Sequence, residues 1–158
     1  MPDPFRRPTI GCALFYKDAL AALDWLESAF GFERSMVITD AAGNLVHSEM
    51  RIGDGYVMIG TEWADFVASP VSTGGRNTQT VHVVLDEDID AHCARAQAAG
   101  AEIIRPPRDE FYGDRTYSAR DREGHVFSFS RPQRFVSRED AEKASGLKIE
   151  GWPAVPES

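Results

Sequence analysis

The sequence predicts an α+β fold in which two β-α-β-β-β modules form a curved mixed sheet around a shared cavity. Two observations carry this reading. One order of apolar runs and turn residues is spelled twice along the 158 residues. The punctuation also recurs in register. Gly31 and Gly55 stand 24 positions apart, as do Gly100 and Gly124, while Asp18 precedes Gly31 by 13 positions and Asp88 precedes Gly100 by 12. Helix start, helix stop and last hairpin turn thus return at an offset near 69. Gly and Asp mark turns everywhere, so chance is the competing explanation; three markers in matching order weaken it. The implied organisation is an N-terminal extension at 1–8, a single domain at 9–132 with modules at 9–61 and 79–132 and a linker at 62–78, and a C-terminal tail at 133–158.

Each element has its local reason. Thr9 to Tyr16 is a compact apolar run and reads as a strand. Asp18 opens a helix in which Leu20, Leu23, Leu26 and Phe30 recur at helical spacing, and Gly31 ends it. Phe32 to Ile38, Leu45 to Ile52 and Tyr56 to Thr61 read as strands, separated by turns at 41–44 and 53–55. Pro70, Ser69, Ser72, Gly74 and Gly75 mark the linker. The pattern restarts with a strand from Gln79 to Leu85 and a helix opened by Asp88, carrying Ile89, Cys93, Ala96 and Ala99 and ended by Gly100. Ala101 to Arg105 is a strand that Pro106 and Pro107 are expected to close. Arg115 to Arg120 and His125 to Ser130 form the last hairpin. Ser137 caps a short helix to Ala144, and Trp152 is expected to anchor the tail on the domain or on a second subunit.

Composition bounds the function. Hydrophobic residues make up 42% and charged residues 27%, ordinary globular usage. The net charge of −8 argues against a nucleic-acid partner, which needs a positive field. No apolar run is long enough to span a bilayer, and no apolar stretch follows Arg6 and Arg7, so neither a membrane partner nor a signal peptide is expected and the cytoplasm is the default location. Cys12 and Cys93 form no Cys-x-x-Cys pair and read as small core residues.

Turn chemistry sorts the strands into two faces. Three-residue loops with a bulge at Gly55 and Gly124 place Ser118 opposite Ser128, Tyr117 opposite Phe129, Glu49 opposite Ile59 and Met50 opposite Met58. One face then carries Val46, Met50, Tyr56, Met58, Tyr117, Ala119, Phe127 and Phe129, and should lie under the helices. The other carries His47, Glu49, Arg51, Val57, Ile59, Thr61, Thr116, Ser118, Arg120, Val126 and Ser128, joined by His82, and suits a ligand-lined concavity. A two-residue turn would reverse the assignment for the third strand of each unit. Tyr112, within Phe111-Tyr112-Gly113, either stacks on a flat ligand at the cavity mouth or covers the sheet edge; Trp63 has the same two readings. His92 on the second helix reads as a surface or boundary residue.

The stretch Val46 to Gly60 resembles the first-half hairpin of the vicinal-oxygen-chelate superfamily, which includes glyoxalase I, bleomycin-resistance proteins and extradiol dioxygenases. The stretch Asp121 to Phe129 resembles its second-half Asp-Pro-x-Gly hairpin, with Arg122 in place of Pro, and Asp88 to His92 with Ala99-Gly100-Ala101 is similar to its second helix. The resemblance covers about Thr9 to Arg131. It implies paired modules, a cupped sheet and a homodimer. It also implies metal ligands at four equivalent positions, which here read Gly11, Ile59, Thr80 and Ser128. None is a good ligand for a divalent ion.

The expectation is therefore a protein of the bleomycin-resistance-like branch that binds a small cationic or aromatic molecule, with no metal and no other cofactor. The expected ligand-binding residues are His47, Glu49, Ile59, Trp63, His82, Tyr112, Thr116, Ser118, Arg120 and Ser128; no catalytic residue is identified. The alternative is a divalent-metal-dependent lyase, isomerase or dioxygenase with displaced ligands, for which His47, Glu49 and His82 are the candidates. Phosphate-loop and nucleophile-elbow motifs are absent.

Overall fold

The computed structural model describes residues 1–153; Pro156, assigned above to the tail, lies outside them. The elements are β1 (Cys12–Tyr16), α1 (Ala19–Phe30), β2 (Glu33–Thr39), β3 (Leu45–Ile52), β4 (Gly55–Thr61), β5 (Val81–Val84), α2 (Ile89–Ala98), β6 (Glu102–Asp109), β7 (Asp114–Arg120), β8 (Val126–Pro132) and α3 (Arg138–Ser145). They build two four-stranded sheets of identical order, β1-β4-β3-β2 and β5-β8-β7-β6. In each, the first strand runs parallel to the last and the remaining pairs are antiparallel. The duplication in the sequence is thus a duplication of topology.

Helix punctuation works as the residues suggest. The Asp18 carboxylate accepts from Ala21 N at 3.1 Å, and Asp88 accepts from Ala91 N at 2.8 Å. Gly31 closes α1 in the left-handed conformation at φ 75°, which its lack of a Cβ permits. The buried side of α1 is Ala22, Leu23, Trp25, Leu26, Ala29 and Phe30; Leu20 faces solvent instead.

The two modules share one core. Phe30 of α1 packs against Phe127 at 4.9 Å and Phe129 at 4.8 Å between ring centres. Trp25 Nε1 donates to Ala99 O beyond the end of α2 at 2.7 Å. The turn between β7 and β8 locks the modules from the other side. Glu123 accepts from Lys17 N, Asp18 N and Ser69 Oγ, and Tyr16 donates to buried Asp121 at 2.6 Å. The linker is therefore ordered, with a short 3-10 turn at Pro70–Thr73, and Asn77 bonds Gly124 O and Val126 N.

Three expectations change. The hairpin between β3 and β4 closes through the two-residue turn Gly53-Asp54, pairing Ile52 with Gly55, Met50 with Val57 and Glu49 with Met58. Gly53 at φ 56° supplies the positive φ that such a turn needs at its first position. Every β4 side chain changes face. Val57 and Ile59 enter the core, while Tyr56 and Met58 turn to the open side. Val46, beside the Asp40–Asn44 turn, is exposed rather than buried. The β7–β8 hairpin keeps the expected register. Secondly, Pro106 and Pro107 do not stop β6, which continues to Asp109 with a register shift between Arg105 and Arg108. As the edge of its sheet, β6 has a side where no backbone donor is required. Thirdly, His92 is fully buried, with Nδ1 2.6 Å from Tyr117 Oη and Nε2 3.0 Å from Phe30 O. The tail is held on the domain by Gln133 N donating to Gly113 O at 3.0 Å, while Trp152 Nε1 donates within the tail, to Val136 O at 2.8 Å.

Candidate functional site

The helices cover one side of each sheet and leave the other open. On the open face of the first sheet stand Ala13 and Phe15 of β1, Tyr56 and Met58 of β4, and His47, Glu49 and Arg51 of β3. Ala13, Phe15, His47, Met58 and Trp63 line a cleft of about 360 Å³ there. Trp63, 65% exposed, meets Phe66 edge-on at 5.1 Å.

Glu49 is the electrostatic centre of this face. It is only 3% exposed, yet it is satisfied. Arg7 of the N-terminal extension forms a fork onto it, with Nε 3.0 Å from both carboxylate oxygens and Nη2 2.7 Å from Oε1. His47 Nε2 lies 3.1 Å from Oε1, and Arg51 holds the same arm through Phe5 O. Residues 5–7 are thus docked across the open face. Arg7 was not legible as a site residue, because nothing local in the sequence connects it with a carboxylate 42 positions away.

Arg7 holds the Glu49 carboxyl below its ordinary range, chiefly by hydrogen bonding. The folded-state pKa is then lower than that of the unfolded chain. The ion pair stabilises the docked arm above the unfolded value, and that support is lost as pH falls through the folded one. Amide protection of residues 5–7 is expected to be present at neutral pH and to fall about tenfold in acid. In Arg7→Met it is expected to be low at both. Hydrogen exchange normalised for intrinsic rate reads this; equal protection in both chains would refute it.

A second cleft of about 400 Å³ lies where the modules meet, lined among others by Gly11, Tyr56, Thr80, His82 and Val84. Its His82 also stands on the open face of the second sheet, opposite Ser128. There Ser118 Oγ and Ser128 Oγ are 2.8 Å apart, Thr116 Oγ1 donates to Glu110 Oε1 at 2.8 Å, and His82 Nε2 lies 3.1 Å from Ser130 Oγ. Arg108 and Thr116 together hold the Glu110 carboxyl below its ordinary range, the arginine bond contributing most.

The expected site residues thus fall into two groups. His47, Glu49 and Trp63 belong to the first face. His82, Thr116, Ser118 and Ser128 belong to the second. Arg120 sits at the end of that sheet, paired with Glu102 at 2.9 Å. Tyr112 stands on the β6–β7 loop, half-exposed and edge-on to Phe111 at 5.2 Å. Ile59 leaves the list of outward side chains, since the two-residue turn buries it under α1. Residues missed in the sequence are Arg7, Phe66, Arg105, Glu110 and Ser130.

The family model for the glyoxalase/bleomycin resistance protein/dioxygenase superfamily matches residues 11–129, three quarters of the chain and both modules. The chain belongs to this superfamily. Its solved relatives include TioX from Micromonospora sp. ML1, 34% identical with a TM-score of 0.65, covering 79% of this chain and 98% of that one. A glyoxalase/bleomycin resistance protein from a Streptomyces species shares the fold at 18% identity and a TM-score of 0.58, over 75% of this chain and 96% of its own. An uncharacterized protein of Mycobacterium bovis is 28% identical over 91% of this chain and 96% of its own length.

The divalent ion that the resemblance implies can be tested against the donor set. Gly11 and Thr80 line the junction cleft, Ser128 is bonded to Ser118, and Ile59 is buried in the core. A glycine, an isoleucine and two hydroxyls do not suit the ion. The displaced set does not assemble either. His47 and Glu49 are together, but Arg7 occupies the carboxylate, and His82 is bonded to Ser130 on the other sheet. Among the described residues, no three His, Cys, Asp or Glu side chains are grouped so as to hold a metal ion. No helix among them is long and apolar enough to cross a membrane.

Proposed function

We propose that this superfamily member is a small-molecule binding protein that holds a flat or aromatic ligand on the open sheet faces without a divalent ion, and that it does so as a cytoplasmic homodimer. The observation that carries the reading is the donor set: the fold is retained, while the four equivalent positions carry Gly11, Ile59, Thr80 and Ser128. The clefts supply the mixture of apolar wall and few polar groups that small ligands need, with Phe15, Met58 and Trp63 beside His47. The expectation of a cationic ligand, drawn from the net charge, loses support. The carboxylate on the first face is already neutralised by Arg7, so the local field does not follow the charge of the chain. A second copy is the proposed cover for Trp63, Phe66 (78% exposed) and Val84 (64% exposed), apolar groups that water solvates poorly.

A thermal-shift screen of aromatic small molecules tests the reading. Hits are expected to raise the melting temperature, as a ligand of the native state must, and to do so equally with and without chelator. A hit that requires a divalent ion would favour the displaced-ligand enzyme instead. Sedimentation velocity is expected to show a species of twice the 17.5 kDa chain; a monomer at micromolar concentration would remove the dimer from the proposal.

A further inference from the structure

Register places one polar row across the whole second sheet. Arg105 of β6 pairs with Ser118 of β7, Ser118 with Ser128 of β8, and Ser128 with His82 of β5. Directly paired residues point to the same face, and this face is the open one, because Tyr117, Ala119, Phe127 and Phe129 fill the core side. The irregularity in β6 between Ile103 and Arg105 is what brings Arg105 into the row: Ile103 still packs on the core and Ile104 takes up the extra position.

Arg105 is underused by the protein. Its Nη2 makes one long contact, 3.4 Å to Ser118 Oγ, and it appears in no ion pair among the described residues. Its Nε–H is buried without any acceptor, the only buried side-chain nitrogen or oxygen so placed among the described residues. An Nε–H held like this has lost water without gaining an acceptor, an arrangement that costs free energy unless something else supplies the oxygen. Next to it, the Ser118 and Ser128 hydroxyls bond each other, and whichever one accepts still has its own O–H to donate. The local complement is one unpaired cation beside at least one free hydroxyl donor. The nearby Glu110 carboxylate, taken up by Arg108 and Thr116, disfavours a second negative charge on the ligand.

We propose that the row Arg105–Ser118–Ser128–His82 binds the carboxylate of a small organic monoanion, with the carboxylate on Arg105 and the serine pair. This deepens the ligand-binding reading above and rests on it. It assigns an anion-binding role to the place where the superfamily resemblance implies a metal ligand at Ser128. The guanidinium's planar fork matches a carboxylate geometrically, which an ammonium does not.

The test is a titration of 15N-labelled protein with benzoate and with benzamide, its neutral isostere. Benzoate is expected to shift the Arg105 Nε–Hε resonance saturably and to bind about tenfold more tightly than benzamide. In Arg105→Gln the preference is expected to vanish, with benzoate affinity falling to that of benzamide. Arg105→Lys should retain only part of it, and Ser118→Ala/Ser128→Ala should weaken benzoate severalfold. Benzamide binding as well as benzoate, an undiminished benzoate affinity in Arg105→Gln, or no saturable shift with either probe would each overturn the assignment. If a variant fails to fold, the benzoate-to-benzamide comparison on the wild-type chain decides alone. Equal binding of the two probes together with metal-independent hits in the thermal screen would leave the small-molecule reading standing without the carboxylate site.

Discussion

Phe30→Ala is expected to destabilise the whole chain by about 3–5 kcal/mol, lowering the melting temperature by roughly 10–15 °C. The ring is fully buried and lies among Trp25, His92, Phe127 and Phe129, with centroid distances from 4.8 to 6.3 Å. It belongs to the first module but most of these partners belong to the second. Truncation therefore opens a cavity between modules rather than within one. Against a typical total of about 5–15 kcal/mol, a loss of this size is a large fraction of the stability. The shared core also predicts how the chain unfolds. Far-UV circular dichroism and tryptophan fluorescence should report one coincident urea transition in both wild type and variant. Separate transitions for the two probes would mean that the modules are stable independently, and the shared core would then be wrong as an energetic statement.

His92→Leu is expected to cost about 2–4 kcal/mol although it replaces a polar side chain with an apolar one of similar size. The imidazole bonds the Tyr117 hydroxyl through one nitrogen and the last carbonyl of α1 through the other. Leucine would leave both buried groups without partners. Removing the hydroxyl as well, in His92→Leu/Tyr117→Phe, should recover part of the loss, because two unmatched groups become one. The wild-type node also predicts a pH slope. Burial lowers the His92 pKa below its ordinary value, so the folded chain holds the ring neutral while the unfolded chain protonates it more readily. Stability is fully present above the unfolded pKa and declines as pH falls towards the folded one. The His92→Leu variant should lack that part of the slope in urea titrations at a series of pH values. A variant as stable as wild type, with the same slope, would show that the node is incidental.

Which features could be read from the sequence follows from how locally each is determined. Asp18, Gly31, Asp88 and Ser137 announce helix ends because a cap bonds within four residues of itself. The β7–β8 register was legible because Gly124 is the lone glycine of its turn. The β3–β4 register was not, since Gly53 and Gly55 flank Asp54 and each can supply a positive φ. The chain uses Gly53, and that one-residue difference carries Ile59 inward and Tyr56 outward. The prolines of β6 misled because their effect depends on whether the strand is at an edge, which is a property of the sheet. His92 was misplaced for a similar reason: its partners lie 25 and 62 positions away.

The candidate site was legible in its wall and not in its wiring. Alternation along β3, β5, β7 and β8 correctly placed His47, Glu49, His82, Ser118 and Ser128 on open faces. It could not supply Arg7, which arrives from the N-terminal extension, nor Arg105, which the irregularity in β6 brings opposite Ser118. Those two arginines decide the electrostatics. One neutralises the buried carboxylate that a displaced metal site would require, and the other leaves a donor unpaired on the face where the ligand is proposed to lie.

Metal content is the most direct test of the central claim that this superfamily scaffold works without its divalent ion. Protein expressed in medium supplemented with zinc, manganese, nickel and iron, purified without chelator and measured by inductively coupled plasma mass spectrometry, is expected to carry far less than one equivalent of any of them, with a melting temperature that a chelator leaves unchanged. One equivalent of a single divalent ion, lost together with thermal stability on chelation and displaced by His47→Ala, Glu49→Ala or His82→Ala, would contradict the account.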